Sequence, residues 1–400
     1  MPRATHPELL NAVAQVAPVI RAHAEQAEAE RRVPEASYQA MFDAGLFGMM
    51  APRAYGGLEV HPCEAMTVWE AVGRIDSAHA WNLVMNQAPA AFAAWLPAKG
   101  AEEVFSDGPT TLAGALNPPA AATRVEGGWR ISGQVPFASG CHNATWMAMP
   151  AAEMENGQPK ADPETGLPAI MGLVFRADEV EILDTWHTTG LRGTGSADIL
   201  ATDLFVPDRR SALVGPLENP APGFEGPLFR MRPWTAILGE SITSVAIAAT
   251  AVDELVELVR TKTPSYQAVA LRDQELAQHG EARAKARVDA ARDTLHRAAE
   301  QAYDQVESDG GLLDTESKVR LQLACSFAAD VCVDAARQTT MSRACRRSGS
   351  LSPLNATSVT CTRWRSTLRS RPPATCRRAG SCSAWRTTGS GSASRGRHGH

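Results

Sequence analysis

The sequence predicts a mainly helical α+β protein in which a middle β-domain separates two helical regions. Before residue 108, apolar residues recur at helical spacing, first in Leu9, Val13, Val16 and Ile20 and later in Tyr38, Met41, Phe42 and Leu46. Short alternating runs separated by Gly, Pro and Asn turns follow, and helical spacing returns after Pro227. We therefore predict an N-terminal helical domain over 1–108, a β-domain over 109–215 and a C-terminal helical bundle over 216–340.

The predicted strands and the later helices follow from the same patterns. Alternating or apolar runs predict strands at Thr111–Leu116, Thr123–Val125, Trp129–Ile131, Thr145–Met149, Met171–Phe175 and Ile199–Val206. In the C-terminal region, Pro264 breaks two long helical patterns, and Glu307–Gly311 forms a turn before a third. These elements are typical of a helical bundle.

Length and hydropathy favour a large soluble enzyme. A chain of 400 residues exceeds the size at which a single core usually keeps growing, so two or three packed units are expected. No apolar run follows Arg3, which argues against a signal peptide. The most apolar window, Ala236–Val252, is interrupted by Glu240 and predicts a buried bundle helix rather than a membrane span. We expect a cytoplasmic protein with neither a membrane nor a nucleic acid as its partner.

Several kinds of catalytic site are excluded by the residue pattern. Cys63, Cys141, Cys325 and Cys332 are dispersed, and no Cys-x-x-Cys pair occurs, so we predict no metal site. The chain also lacks a Gly-x-Ser-x-Gly elbow and a Gly-x-x-x-x-Gly-Lys phosphate loop. Any redox chemistry must therefore come from a bound organic cofactor.

The most informative segment is the glycine-rich stretch Gly190–Ser196. Its Gly-x-x-Gly-x-Gly spacing suggests a dinucleotide fingerprint, but that motif must end a strand and open a helix. Here the glycines run into the strand-like Ile199–Pro207. The pattern favours a β-domain loop at the edge of a ligand, and an ordinary hairpin loop is the alternative.

Three blocks carry a resemblance to a known family. The first is Ala44–Gly57 with Ile75–Trp81, the second is Gly127–Gly133 with Phe137–Trp146, and the third is Asp184–Pro207. Over roughly residues 30 to 210, the chain resembles the acyl-CoA dehydrogenase superfamily, and more closely its flavin-dependent monooxygenase branch. The resemblance implies an acyl-CoA-dehydrogenase-like fold: an N-terminal helical domain, a middle β-barrel domain and a C-terminal helical bundle, incomplete in this chain.

The branch implies a function. Its members are oxygenase components that hydroxylate a small, commonly aromatic, substrate with dioxygen and reduced flavin, FAD or FMN, supplied by a separate flavin reductase. The resemblance also implies a homotetramer. The alternative is an acyl-CoA dehydrogenase, whose flavin loop reads like Thr-Glu-Pro-x-x-Gly-Ser-Asp. The equivalent segment here, Leu116–Arg124, lacks the acidic residue and the Gly-Ser-Asp, which favours the monooxygenase. A non-catalytic relic is a third interpretation.

The resemblance implies site residues position by position. The cofactor-binding set is Trp81, Phe137, Ser139, Gly140, Cys141, Trp186, Arg192, Thr194 and Ser196. Ser139 is a candidate hydroxyl or backbone donor near the flavin's central nitrogen, and His142 is the candidate base for a phenolic proton. Substrate-binding candidates are His79, Asn82 and Asn117. A turn hydroxyl, a solvated loop tip, polar contacts of the histidines and core packing of the tryptophans are the corresponding structural alternatives.

The last sixty residues have a different composition. They contain 12 Arg, 12 Ser and 4 of the 8 Cys but no acidic residue, so they carry +12 against −17 for residues 1–340. A basic tail of this kind suggests disorder or nucleic-acid binding. Regrouping the codons of Leu354–Thr367, and on to Thr388, permits sequences similar to the C-terminal helices of the monooxygenase branch. We therefore expect an out-of-frame, disordered tail over 341–400, with the shift around residues 335 to 352.

Overall fold

The N-terminal region is helical. In this computed structural model the described residues are 6–87, 89–114, 119–163, 166–214, 220–263 and 269–344. Five α-helices precede the first strand: α1 (Pro7–Glu30), α2 (Glu35–Asp43), α3 (Pro62–Gly73), α4 (Ser77–Gln87) and α5 (Ala98–Val104). The predicted apolar positions Leu9, Val13 and Ile20 are buried on one face of α1. Proline stands in the first turn of both α1 and α3, where a missing N–H costs nothing.

The middle region is one nine-stranded sheet among the described residues. Its strands are β1 (Leu112–Gly114), β2 (Ala120–Val125), β3 (Gly128–Val135), β4 (Trp146–Glu155), β5 (Gln158–Pro159), β6 (Ile170–Arg176), β7 (Glu181–Leu183), β8 (Asp198–Pro207) and β9 (Ser211–Leu213). The strand order is β7-β8-β3-β2-β4-β6-β9, and β1 and β5 both pair with β4. The region predicted as a β-barrel domain is thus observed as one sheet, in which β7 and β9 stand at the two ends of the strand order. The glycine-rich stretch leads into β8, as the sequence predicts.

The C-terminal region is a bundle built around one long apolar helix. It contains α6 (Pro227–Arg230), α7 (Trp234–Thr261), α8 (Glu275–Asp309) and α9 (Thr315–Ala344). Helix α7, which holds the most apolar window, packs against α3, α4, α8 and α9. A partly buried ion pair between Arg292 and Glu70, at 2.7 Å, joins α8 to α3. The acyl-CoA-dehydrogenase-like arrangement expected from the sequence, helical regions on either side of a sheet, is confirmed.

Helix α9 buries most of its apolar residues but leaves a few exposed. Leu321 and Cys325 are fully buried, whereas Leu323 is 66% and Phe327 43% exposed. Residues two positions apart point to different faces of a helix, so these four cannot form one stripe. Leu323 and Phe327 instead line a groove of about 310 Å³ between α8 and α9. Most of the predicted tail, from residue 345 onward, lies outside the described residues.

A search of the described helices for a membrane-crossing segment is negative: none combines sufficient length with sufficient hydropathy.

Candidate active site

Two loops of the sheet meet helix α4. The first, residues 136–145, joins β3 to β4, and the second, residues 184–197, joins β7 to β8. Gly140 N donates to the Thr194 carbonyl oxygen over 3.0 Å. From α4, Asn82 Nδ2 donates to the same oxygen over 3.3 Å. The second and third sequence blocks, far apart in the chain, are thereby brought into contact with the helix that carries Trp81 and Asn82.

A chain of hydrogen-bonded hydroxyl groups runs through this contact. Trp81 Nε1 donates to Ser139 Oγ over 3.0 Å, and Ser139 Oγ lies 2.7 Å from Ser196 Oγ. Ser196 Oγ lies 2.7 Å from Thr194 Oγ1, which donates to the Leu191 carbonyl oxygen over 2.8 Å. The three hydroxyl groups are all buried. Four of the predicted cofactor residues therefore form one continuous network.

The two ends of this chain of hydroxyl groups determine which group donates in each of its hydrogen bonds. The indole N–H can only donate, and the Leu191 carbonyl can only accept. Because Thr194 donates to Leu191, Ser196 must donate to Thr194, and Ser139 must donate to Ser196. Ser139 thus already uses its single proton, and its oxygen is left as an acceptor. This differs from the hydroxyl-donor role expected from the sequence.

Gly140 occupies a position that no side chain could share. Its φ is +73°, and an added Cβ would lie 2.4 Å from Asn82 Oδ1 and 2.6 Å from Asn86 Oδ1. Asn86 Oδ1 accepts from the buried Tyr38 hydroxyl over 3.1 Å. Asn82 Oδ1 and Asn86 Nδ2 are buried without a hydrogen-bond partner in the described structure. Asn86 and Tyr38 were missed by sequence reasoning, although the i, i+4 spacing of the two asparagines puts them on one face of α4.

An aromatic pair, the exposed Phe137 and the half-buried Trp186, lies beside the hydroxyl chain. Phe137 is 64% exposed and has φ +66°, a left-handed conformation that a bulky residue rarely adopts. Its ring meets Trp186 edge to face, with centroids 6.2 Å apart. Trp186 Nε1 donates to the Leu191 carbonyl over 3.0 Å, so this carbonyl receives both the indole and the Thr194 hydroxyl. Leu191 is a further residue of the site that the sequence does not reveal, because it acts through its backbone carbonyl.

His142 and Cys141 follow Gly140 in the same loop. The side chain of His142 is exposed, yet the surrounding atoms partly desolvate its ring, and this desolvation, with the charges of Arg32 and Arg31, lowers its pKa. The imidazole is therefore favoured in its neutral form. Cys141 is buried, which raises its thiol pKa to about 12, and its Sγ donates to the Gly195 carbonyl. Such a thiol is an inert packing group.

Two predicted site residues, His79 and Arg192, use their side chains in hydrogen bonds to other parts of the protein. His79 is completely buried on α4, with Nδ1 2.6 Å from Asp76 Oδ1 and Nε2 2.8 Å from Ser37 Oγ. It links α4 to α2. Arg192 Nε donates to the Glu28 carbonyl of α1 over 2.9 Å. Asn117 lies outside the described residues. The remaining predicted residues either form the hydroxyl chain or lie beside it: Trp81, Asn82, Phe137, Ser139, Gly140, Cys141, His142, Trp186, Thr194 and Ser196.

The described residues contain no group of three or more His, Cys, Asp or Glu side chains arranged to hold a metal ion.

Family models match both helical regions. Residues 4–104 match the acyl-CoA dehydrogenase N-terminal domain, and residues 238–355 match the acyl-CoA dehydrogenase C-terminal domain. The two matches flank the sheet and together cover more than half of the chain. This chain belongs to the acyl-CoA dehydrogenase superfamily. The membership agrees with the resemblance carried by the three sequence blocks.

Similar proteins within the superfamily are named as monooxygenases. The chain is 28% identical over 325 residues to an indole-3-acetate monooxygenase of Pseudomonas putida, covering 80% of this chain and 79% of the relative. It is 35% identical over 218 residues to the oxygenase component of an FADH(2)-dependent resorcinol hydroxylase of Rhizobium sp. (strain MTP-10005), covering 51% and 49%.

Solved structures show the same fold. A 3-HSA hydroxylase from Rhodococcus sp. RHA1 superposes with a TM-score of 0.79 at 21% identity, covering 90% of this chain and 92% of that one. XiaF from Streptomyces sp., in complex with FADH2 and glycerol, gives 0.79 at 24% identity, covering 89% and 90%. At these identities the superpositions establish the fold alone.

Proposed function

We propose that this superfamily member is the oxygenase component of a two-component flavin-dependent monooxygenase. It hydroxylates a small aromatic substrate with dioxygen and reduced flavin, FAD or FMN, which a separate flavin reductase supplies. The observation that carries the proposal is the match over four fifths of the chain to a protein named as a monooxygenase. The second relative, named as an FADH(2)-dependent oxygenase component, supports both the cofactor and the reductase partner.

The residues present suit a flavin ring. An isoalloxazine needs a flat apolar surface together with hydrogen-bonding groups for its nitrogen and oxygen atoms. The exposed Phe137 and the half-buried Trp186 offer the surface, and Ser139 offers a buried oxygen with free acceptor capacity two residues from Phe137. When bound, reduced flavin would supply the electrons for the activation of dioxygen.

Each side chain then has a defined task. With flavin bound, Ser139 would accept a hydrogen bond from a ring N–H, because the hydrogen bonds through Ser196 and Thr194 hold its own proton away from the ligand. Burial of these hydroxyls keeps water from the reacting centre. His142, neutral because its pKa is lowered, can accept a phenolic proton at its ring nitrogen. Asn82 supports the loop from beneath Gly140 rather than by presenting a free amide N–H.

The acyl-CoA dehydrogenase alternative is less well supported. It needs a carboxylate base, whereas the buried groups at this site are hydroxyls and amides. The segment equivalent to the dehydrogenase's flavin loop, Leu116–Arg124, lacks both the acidic residue and the Gly-Ser-Asp. We also propose the homotetramer that the resemblance implies, which sedimentation of the purified chain would test.

The proposed reaction is tested by product analysis. Purified protein, a flavin reductase, FAD or FMN and a reduced nicotinamide are mixed in air with resorcinol, 3-hydroxyphenylacetate or indole-3-acetate. Mass spectrometry should detect a product one oxygen atom heavier that is absent when either the chain or the flavin is omitted. Failure to hydroxylate any phenol or indole, together with desaturation of an acyl-CoA thioester, would establish the dehydrogenase instead.

A further inference from the structure

No acidic side chain among the described residues balances the charge of Arg232. It lies between α6 and α7, where its Nε donates to the Phe229 carbonyl over 3.0 Å and its Nη1 donates to the Ala91 carbonyl. Its Nη2 is buried and has no hydrogen-bond partner. No carboxylate within the described structure lies within 4.0 Å of the guanidinium. Burial alone, with no acidic neighbour to oppose it, lowers the pKa of Arg232 to about 9.

An unbalanced buried guanidinium is costly to the fold. Removing a cation from water without pairing it has a penalty of several kcal/mol, and buried charges are normally paired with acids. The two carbonyl bonds hold the head group in place but leave its charge and one edge unsatisfied. A planar guanidinium with a free edge is the geometry that binds a carboxylate. A carboxylate brought against this buried edge would balance its charge and satisfy Nη2.

Aromatic rings surround this cation. The guanidinium carbon lies 4.0 Å from the centre of the Trp95 ring, and Phe92 packs against Trp95 with ring centroids 5.3 Å apart. Both rings are only partly buried. The tip of Phe92 lies over the backbone of Gly172, where an added Cβ would come within 1.7 Å of it. The surroundings of the Arg232 guanidinium are thus apolar and aromatic.

The start of a long helix adds positive potential at the same place. Pro233 is the N-cap of the 28-residue α7, and no side chain caps the N–H groups of its first turn. The N-terminus of a helix favours an anion. The segment of Phe92 and Trp95 directly follows α4, which carries Trp81 and Asn82 at the hydroxyl chain.

We propose that Arg232 and Trp95 bind the carboxylate end of the substrate, so that the preferred substrates are aromatic acids. This inference rests on the proposed monooxygenase function for its physiological meaning. The binding step itself involves only residues of the described structure. The guanidinium pairs with the carboxylate, and the two aromatic side chains contact the ring of the acid.

The test is a comparison of phenylacetate with its neutral isostere phenylacetamide. Isothermal titration calorimetry of the full chain, without added flavin, should give phenylacetate an affinity at least about tenfold higher. Arg232→Met should reduce this preference to within about twofold. Arg260→Met is the matched control, since it removes an exposed arginine from the far end of α7 and should leave the preference intact.

Arg232→Met could lose binding by unfolding, because Arg232 also donates to two carbonyl oxygens, and a second variant controls for this. Arg232→Lys keeps the charge but loses the planar fork, and should weaken phenylacetate binding about tenfold while changing phenylacetamide binding less than about twofold. Equal affinity of the wild-type chain for acid and amide, or unchanged phenylacetate binding in Arg232→Lys, would overturn the proposal. So would inorganic phosphate competing as well as phenylacetate, because the site would then be a general anion site.

The binding result can be separated from the proposed reaction. An intact preference for the acid with no hydroxylated product leaves the carboxylate site standing and removes the monooxygenase. Hydroxylation of phenols without any preference for the acid would leave the monooxygenase standing and remove the carboxylate site.

Discussion

Ser139 Oγ lies 2.7 Å from Ser196 Oγ, and both hydroxyls are buried although 57 residues separate them in the sequence. Because each hydroxyl has one proton, every hydrogen bond from Trp81 to the Leu191 carbonyl must donate in the same direction. Hydrogen bonds in such a chain polarise one another and strengthen the acceptor capacity of the members upstream. A ligand N–H placed against Ser139 would therefore meet an oxygen whose own proton is already directed away.

Replacing Ser139 should uncouple the proposed reaction without preventing flavin binding. Ser139→Ala removes about one hydrogen bond to the ligand, which corresponds to roughly a tenfold increase in hydrogen peroxide released per substrate hydroxylated. Peroxide and product are measured in the same reaction. Ser211→Ala is the control. Ser211 is also buried, and its hydroxyl donates to a carbonyl oxygen, but it lies on β9 and takes no part in the chain of hydroxyl groups. Equal coupling in Ser139→Ala and the wild-type chain would remove Ser139 from the site.

Thr194 should stabilise the fold through the hydroxyl chain. Thr194→Val keeps the shape of the side chain but leaves the buried Ser196 hydroxyl without its acceptor. We expect a loss of about 1–3 kcal/mol in the free energy of unfolding by urea. Thr194→Ser retains the hydroxyl and should lose markedly less. If valine and serine are equally tolerated, the proton order derived above is incorrect.

Gly140 should tolerate no side chain. Gly140→Ala combines a left-handed φ of +73° with a contact of 2.4 Å to Asn82 Oδ1, and we expect it to cost more than about 3 kcal/mol in unfolding free energy. Gly157→Ala is a close control for backbone strain. It has φ +78° but no atom within 4 Å of the added Cβ, and should cost only about 1 kcal/mol. Similar losses in the two variants would show that Asn82 and Asn86 move aside freely.

His142 should make the fold less stable in acid. Its pKa in the folded chain is lowered from the ordinary value of 6.5, so the unfolded chain takes up the proton first as the pH falls. The unfolding free energy therefore decreases below about pH 6.5. His142→Gln should lose less stability than the wild-type chain between about pH 7.5 and pH 5, measured by urea unfolding. His296, whose pKa is also lowered by burial, remains in both proteins and cancels in the comparison. Parallel pH profiles would contradict the lowered pKa of His142.

The residue types of the site were predictable from the sequence, but their connections were not. The resemblance identifies Ser139, Thr194 and Ser196, because each stands in a recognisable block. The proton order depends on the Leu191 carbonyl, a backbone group with no signature in the sequence. The orientation of Arg192 towards the Glu28 carbonyl depends likewise on how α1 packs against the loop.

The fold was predictable wherever periodicity is strong. The long helices and six of the strands follow the apolar spacing, while the short β5, β7 and β9 have too few residues to show a period. Apolar residues close together in α9 show a further limit of sequence patterns. Leu321, Leu323, Cys325 and Phe327 follow one another at every second position, and helical geometry divides them between core and surface.

The most direct test of the monooxygenase assignment is which compound reduces the flavin. The chain is loaded with oxidised FAD or FMN and exposed without oxygen to a series of acyl-CoA thioesters, while the flavin's visible absorbance is followed. We expect no bleaching by any thioester, and hydroxylated product once dioxygen, an aromatic substrate and reductase-supplied flavin are added. Rapid bleaching by an acyl-CoA thioester, accompanied by an α,β-unsaturated product, would contradict it.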